Sequence, residues 1–156
     1  MSDKVLRLQL ADFLDWKSAH VGFDDAVKGI PAKLRGAIPE GFAHSAWQMV
    51  EHLRIAQHDI LDFCLNPRYQ EKTWPDDYWP KAPAPPSDDA WEKSLAAYEH
   101  SLEKLRRLVR EVDDLTATVP TGKDNQTYLR SILLTADHTA YHVGQLVAVR
   151  KALGAW

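Results

Sequence analysis

The chain has 156 residues, of which 45% are hydrophobic and 26% are charged, the balance of an ordinary globular protein. Its 19 basic and 22 acidic residues give a formal charge of −3, which excludes the basic field that nucleic-acid binding requires. The one cysteine, Cys64, cannot form an internal disulfide, no apolar run approaches the ~18 residues of a membrane span, and the N-terminus does not resemble a signal peptide. We therefore expect a single cytoplasmic domain over residues 1–156 that contacts neither nucleic acid nor membrane.

Four stretches without proline have the periodicity of helices, and no segment alternates with the period of a strand. The first covers about residues 3–28, with an apolar face formed by Leu6, Leu10, Phe13, Trp16 and Val27. The second begins after Ser45, a residue type that caps helix N-termini, and ends at about Leu65, before Asn66-Pro67.

The third stretch begins after Ser87 and repeats apolar residues at alternating spacings of four and three, which indicates a helix packed along its length. These residues are Trp91, Leu95, Tyr98, Leu102, Leu105, Val109 and Val112. The fourth stretch runs from about Asp124 or Thr127 to Leu153, and Gly154 ends it.

The connection between the second and third helices, residues 66–87, holds six of the nine prolines. It is much longer than the ~2–8 residues that usually join antiparallel helices in a bundle. A segment of this length can cross the whole ~30 Å length of a helix and join two parallel neighbours. The sequence therefore predicts an all-α, four-helix bundle in an up-down-down-up arrangement with a long crossover between helices 2 and 3.

His138 and His142 form an H-x-x-x-H pair on the fourth helix. A spacing of four places both side chains on one face, one turn apart, where they can bind the same metal ion. The residues that share this face carry no charge, namely Thr127, Ser131, Leu134, Thr135, Tyr141, Gln145 and Val149. Because a solvated face usually carries lysine and glutamate, this stripe predicts the wall of a metal or ligand pocket.

The second helix offers a third ligand in His52. Most residues on the same face of this helix are of types that are usually buried, and Asp59 also lies on it. The alternative for His52 is a core histidine bonded to a neighbour. His58 falls on another side of the helix, and we expect His44 and His100 at the surface. The chain lacks Glu-x-x-His and His-Glu-x-x-His, so neither a ferritin-like di-iron site nor the usual zinc-protease site is expected.

Residues 45–54, SAWQMVEHLR, and residues 137–156, DHTAYHVGQLVAVRKALGAW, resemble the second-helix and last-helix motifs of the DinB-like (damage-inducible) superfamily, which is related to the YfiT proteins. The resemblance covers nearly the whole chain, including the crossover. In that family one histidine of the second helix and an H-x-x-x-H pair of the fourth bind a divalent metal ion. By position these are His52, His138 and His142, the same three residues that the spacing indicates.

The resemblance does not define one reaction, because such proteins include metal-dependent hydrolases and thiol-dependent transferases or isomerases. It implies one divalent ion, zinc or nickel before manganese, cobalt or iron, and a small-molecule substrate, a low-molecular-weight thiol being one class. Asp59 and Asp24 are candidate acid/base residues, and Tyr141 and Gln145 are candidates for orienting a ligand or the substrate. The alternatives are a non-catalytic metal- or ligand-binding bundle and a purely structural bundle.

His20 is a further candidate for the pocket, because on a continuous first helix it falls within the apolar face together with Asp24. If the first and fourth helices run parallel, His20 lies within about one turn of the height of His138 and His142. We therefore predict that His20 and Asp24 border the metal pocket. The alternative is an exposed histidine near Gly22.

The fourth helix also has a second apolar side, well away from the two histidines. It is formed by Leu129, Ile132, Ala136, Ala140, Val143 and Val147. One side can fill the core of the bundle, and the other then needs cover. This second apolar side predicts a homodimer, and so does the resemblance, because members of the DinB-like family often form dimers.

Overall fold

The computed structural model describes residues 2–15 and 17–156 and contains five α-helices in those residues. They are α1 (Ser2–Phe13), α2 (Phe23–Val27), α3 (Ala46–Leu65), α4 (Asp88–Glu111) and α5 (Tyr128–Ala152), with a 3-10 turn at Ala32–Leu34. The described part of the chain forms no strand beyond one isolated bridge between Thr118 and Thr127. The prediction of an all-α protein is confirmed.

The ends of α3 and α5 lie where the local signals predict them. The Ser45 hydroxyl accepts a hydrogen bond from the Gln48 amide, and the Gln48 side chain accepts one from the Ser45 amide, which is a capping box. Thr127 caps α5 through the Arg130 amide, and Gly154, with φ of +67°, follows the last turn. Helix α4 begins directly after Ser87, as predicted.

The prediction of one helix over residues 3–28 is wrong. Helix α1 ends at Phe13, and the short helix α2 begins at Phe23, ten residues later, with Gly22 at its N-cap. A Cβ atom at Gly22 would lie 2.7 Å from a carboxylate oxygen of Asp15, so a larger residue at this position would displace the Asp15 side chain. The break changes the buried face: Leu14 is buried, Leu6 is exposed, and Trp16 lies outside the described residues.

Helix α3 lies at the centre of the packing and contacts both α4 and α5, while α1 packs mainly on α4 and α2 on α5. The apolar repeat of α4 provides much of the core, with Trp91, Tyr98, Leu102, Leu105 and Val109 buried.

No helix in the described residues is long and apolar enough to span a membrane.

The second apolar side of α5 is largely covered within the chain itself. Ile132, Ala136 and Val143 are buried, and Leu129 and Val147 pack against the core. Ala136, Ala140 and Val143 face the segment between α1 and α2, with which they line a small cavity of about 140 Å³. This side of α5 therefore does not supply the uncovered surface on which the dimer prediction was based.

Candidate metal centre

Three imidazole rings converge between α3 and α5. The Nε2 atom of His52 lies 3.0 Å from Nε2 of His138 and 3.1 Å from Nε2 of His142. His52 and His142 are buried, and His138 is half-buried. The spacing of four on α5 accounts for the pair His138 and His142, and the packing of α3 against α5 adds His52.

The partners of the other ring nitrogens define the protonation of two of these histidines. Nδ1 of His52 donates to the main-chain oxygen of Tyr78 at 2.9 Å, and Nδ1 of His142 donates to Oε1 of Gln145 at 2.7 Å. In the neutral rings, Nε2 of both residues therefore carries a lone pair rather than a proton. Two lone pairs facing each other across 3.1 Å repel unless a cation lies between them.

The distances fit a metal ion. Nitrogen ligands bound at about 2.0–2.1 Å to one ion, with angles between about 90° and 110°, lie about 2.8–3.4 Å apart. The two Nε2–Nε2 distances to His52 fall in this range, and the three histidines are the set of described residues whose ligand atoms cluster closely enough to hold an ion. Both outward Nδ1–H groups end on an oxygen acceptor, as is usual for metal-binding histidines.

Burial keeps these rings neutral. It lowers the pKa of His52 and of His138 to about 4, and it also moves the pKa of His142 below its usual range. The neutral imidazole is the form that binds metal, so protons compete weakly with an ion for this site near neutral pH.

The crossover, residues 66–87, is bound to one face of α3 and orients His52. Gln48 donates to the main-chain oxygen of Pro80 at 3.1 Å, and Ser45 donates to that of Pro83. In the same segment, the Trp79 ring stacks on the His52 ring with the centroids 3.8 Å apart and an angle of 5° between the planes. His52 is thus held by a carbonyl at Nδ1 and by an indole on its face.

A cavity of about 510 Å³ opens beside the histidines, and both His52 and His138 contribute to its wall. Its other lining residues include four aromatic side chains and three charged ones, namely Phe63, Tyr69, Trp74, Tyr78, Asp59, Glu71 and Lys123. A small molecule in this cavity can therefore reach the imidazoles of His52 and His138.

Asp59, one of the two predicted acid/base residues, lies in this cavity. Its Oδ2 atom accepts hydrogen bonds from the phenols of Tyr78 at 2.7 Å and Tyr69 at 3.0 Å. Burial and the negative charge of Asp59 raise the pKa of Tyr69 to about 12 and raise that of Tyr78 further. Both phenols therefore stay protonated and donate to the Asp59 side chain.

Gln145 and Tyr141 lie on the outer side of His142. The side-chain oxygen of Gln145 accepts from His142, and its amide nitrogen donates to the Tyr141 hydroxyl at 3.1 Å. Tyr141 is otherwise exposed, and neither residue lines the cavity. Their contacts orient a histidine rather than a substrate.

The structure does not bring His20 and Asp24 to the three histidines. His20 is exposed, bonds to the Val21 carbonyl and lines the small separate cavity under α2. Asp24 is exposed and pairs with Lys17 at 3.3 Å. The reason is the break after Phe13: the expected positions depended on one helix continuing through residues 14–22.

Of the other three histidines, two are exposed as predicted and one is not. His58 and His100 are exposed, as predicted, but His44 is half-buried. Its ring stacks on Trp79 at 3.9 Å, so Trp79 is enclosed between His44 and His52. The expectation of a surface position for His44 is wrong because the crossover folds back over the start of α3.

Sequence reasoning missed Tyr69, Tyr78 and Trp79, which hold His52 and Asp59. The aromatic content of the crossover was the available signal, since three tryptophans and tyrosines lie within residues 74–79. A segment without periodicity gives no direction for its side chains, and their contacts depend on how it crosses α3.

Residues 17–146 match the sequence model of the DinB superfamily. This match includes all three histidines and the crossover. No curated protein is similar enough to the chain to count as a relative.

Proposed function

Because the chain belongs to the DinB superfamily, we propose that it binds one divalent metal ion through His52, His138 and His142 and acts on a small molecule in the adjoining cavity. The observation that carries this proposal is the pair of lone pairs on Nε2 of His52 and His142, which face each other across 3.1 Å. Neutral rings arranged in this way bind a cation in common.

The donor set supports zinc or nickel, with cobalt, manganese and iron as further occupants of an all-imidazole site. Bound there, the ion supplies Lewis-acid activation of water or of a substrate thiol. The first route is hydrolysis and the second is transfer of a group to or from the thiol. Three neutral ligands leave the full charge of the ion available for either.

Four residues around the three histidines have distinct roles in this proposal. Tyr78 and Gln145 hold the Nδ1 protons, so that Nε2 of His52 and of His142 points to the ion. Of the two predicted acid/base residues, only Asp59 lies where a substrate can contact it. Tyr141 affects His142 indirectly, because its hydroxyl accepts a hydrogen bond from Gln145 and orients that side chain.

The metal is tested by measuring zinc, cobalt and nickel binding to chelator-treated protein that was purified without nickel affinity. We expect one ion per chain, and a loss of affinity of at least a hundredfold in His52→Ala, His138→Ala and His142→Ala. The exposed residues His58 and His100 supply the matched controls, and their alanine variants should bind as the wild type does. Stoichiometric binding by His138→Ala at unchanged affinity would overturn the proposed site.

The reaction is tested on the loaded protein with model esters and with pairs of a small thiol and an electrophile. Turnover that disappears in His138→Ala supports an enzyme and assigns the class. A loaded protein that turns over neither set is a metal-binding protein without these activities, which is the alternative that the sequence left open.

We also propose that the long helices α1, α3, α4 and α5 form the up-down-down-up bundle of a single domain, and that the chain forms a homodimer. The exposed face of α5 supports the dimer: Leu133 and Leu134 lie between Arg130 and Asp137, neither of which has an ion pair within the described residues. Two antiparallel copies of this face bring each Arg130 to the partner's Asp137. A sedimentation mass near 17.7 kDa at micromolar concentration would contradict it.

A further inference from the structure

Asp59 is a buried carboxylate without a cationic partner. Only about 7% of its surface is exposed, and the ion pairs among residues 2–15 and 17–156 do not include it. Carboxylates are seldom buried in this way unless a positive charge compensates them, because removing them from water is unfavourable. A cation supplied by a ligand would provide that compensation.

The hydrogen bonds of Asp59 leave one of its oxygens available. Both phenols donate to Oδ2, and no donor reaches Oδ1 within the described part of the chain. The tyrosines hold the carboxylate in place, but as neutral donors they bring no positive charge to it. Asp59 lines the cavity, so the remaining oxygen can be reached by a molecule inside it.

The walls around Asp59 suit an organic cation. Phe63, Tyr69, Trp74 and Tyr78 all line the cavity, and Trp74 is left about 67% exposed instead of packing in the core. Aromatic faces attract ammonium groups and also contact the apolar body of a ligand. The other charged side chains of the wall, Glu71 and Lys123, are exposed and carry opposite charges, so Asp59 decides the charge in the interior.

Tyr78 separates this carboxylate from the histidines. Its main-chain oxygen binds His52 and its phenol binds Asp59, so the length of a tyrosine lies between the two groups. A cation paired with Asp59 therefore lies across the Tyr78 side chain from the hydrogen bond that holds His52.

From this geometry we propose that the cavity binds an organic ammonium group, which pairs with Asp59 while the aromatic rings contact the adjoining part of the molecule. The inference rests on the proposed function in one respect, since it takes this cavity as the substrate site. It names the substrate class: a small amine, protonated at the end that meets Asp59.

The test compares benzylammonium with benzyl alcohol, which has nearly the same shape and no charge. Binding is measured by NMR titration at pH 7, first on chelator-treated protein and then on zinc-loaded protein. We expect benzylammonium to bind at least tenfold more tightly than benzyl alcohol in both states. Asp59→Asn should abolish that preference, and Asp62→Asn, a matched change on the same helix away from the cavity wall, should keep it.

The comparison of the two probes on the wild type does not depend on the folding of any variant. Equal affinities for the cation and the alcohol overturn the inference, as does an unchanged preference in a folded Asp59→Asn variant. Zinc binding without ammonium preference leaves the proposed metal site standing and removes this inference. A preference for the ammonium probe without metal binding supports this inference and removes the proposed metal site.

Discussion

The main-chain oxygen of Tyr78 accepts the Nδ1 proton of His52 across 2.9 Å, although the two residues are 26 positions apart. A histidine of a regular helix is thus oriented by the backbone of an irregular segment. The same tyrosine donates its phenol to Asp59 at 2.7 Å. One residue of the crossover therefore positions a metal-ligand candidate with its backbone and a cavity carboxylate with its side chain.

This division of roles predicts the behaviour of Tyr78→Phe. The substitution keeps the carbonyl that accepts from His52, so zinc affinity should change by much less than the ~10–100-fold expected when such a partner is lost. It removes a donor to a buried carboxylate, so the free energy of unfolding should fall by about 1–3 kcal/mol. Urea denaturation and zinc titration measure the two effects. Tyr141→Phe, at an exposed position, is the control and should cost less than about 0.5 kcal/mol.

Gln145 should affect the metal without touching it. Its oxygen holds the Nδ1 proton of His142, and loss of such an outer partner typically lowers metal affinity by about 10–100-fold. We expect this decrease in Gln145→Ala, measured by competition with a zinc chelator. Gln70→Ala, at an exposed site in the crossover, should leave the affinity unchanged. An equal effect in both variants would contradict the role assigned to Gln145.

The metal-free protein should lose stability as the pH falls from about 6.5 to 4. In the unfolded chain the histidines take up protons near their ordinary pKa of about 6.5. In the folded chain burial holds the pKa of His52 and His138 at about 4, so over this interval unfolding binds protons and is favoured by acid.

The measurement is urea denaturation of metal-free protein at several pH values between 7 and 4.5. Carboxylates contribute to the same trend, so the comparison is with His138→Gln, which lacks one of the two imidazoles whose pKa lies at about 4 in the folded chain. The variant should show a smaller loss of unfolding free energy over this interval. Parallel curves for the two proteins would show that His138 is not buried in the neutral form.

Cys64 should be inert in the folded protein. It is fully buried on α3, and burial raises the pKa of its thiol to about 11. A disulfide reagent such as Ellman's reagent should not react with native protein at pH 8 within the time in which it reacts completely in guanidinium chloride. Rapid labelling of native protein would contradict the packing of α3 described above.

The prediction of the first helix failed at a point where local patterning carries no information. Residues 14–22 continue a helical apolar spacing well enough to suggest one helix, but Gly22 returns the chain to within contact distance of Asp15. Helix α1 packs mainly on α4 and α2 packs on α5, so the direction of the chain between them follows from packing and not from the apolar spacing. The positions predicted for His20 and Asp24 failed with it, because both were extrapolated along a helix that does not exist.

The sequence by itself determined where α3 and α4 begin, where α3 and α5 end, and that His138 and His142 share a face. These signals are capping residues, a glycine after the last turn and a spacing of four, and each acts within one helix. They can therefore be recognised from the sequence without knowledge of the tertiary structure. Only the tertiary structure decided what surrounds them: that Nε2 of His52 meets the α5 pair at 3.0 and 3.1 Å, and that the crossover brings Tyr78 and Trp79 onto His52. These contacts join residues 26 or more positions apart, or a helix to an irregular segment, and their geometry follows from helix packing and chain path rather than from any local pattern.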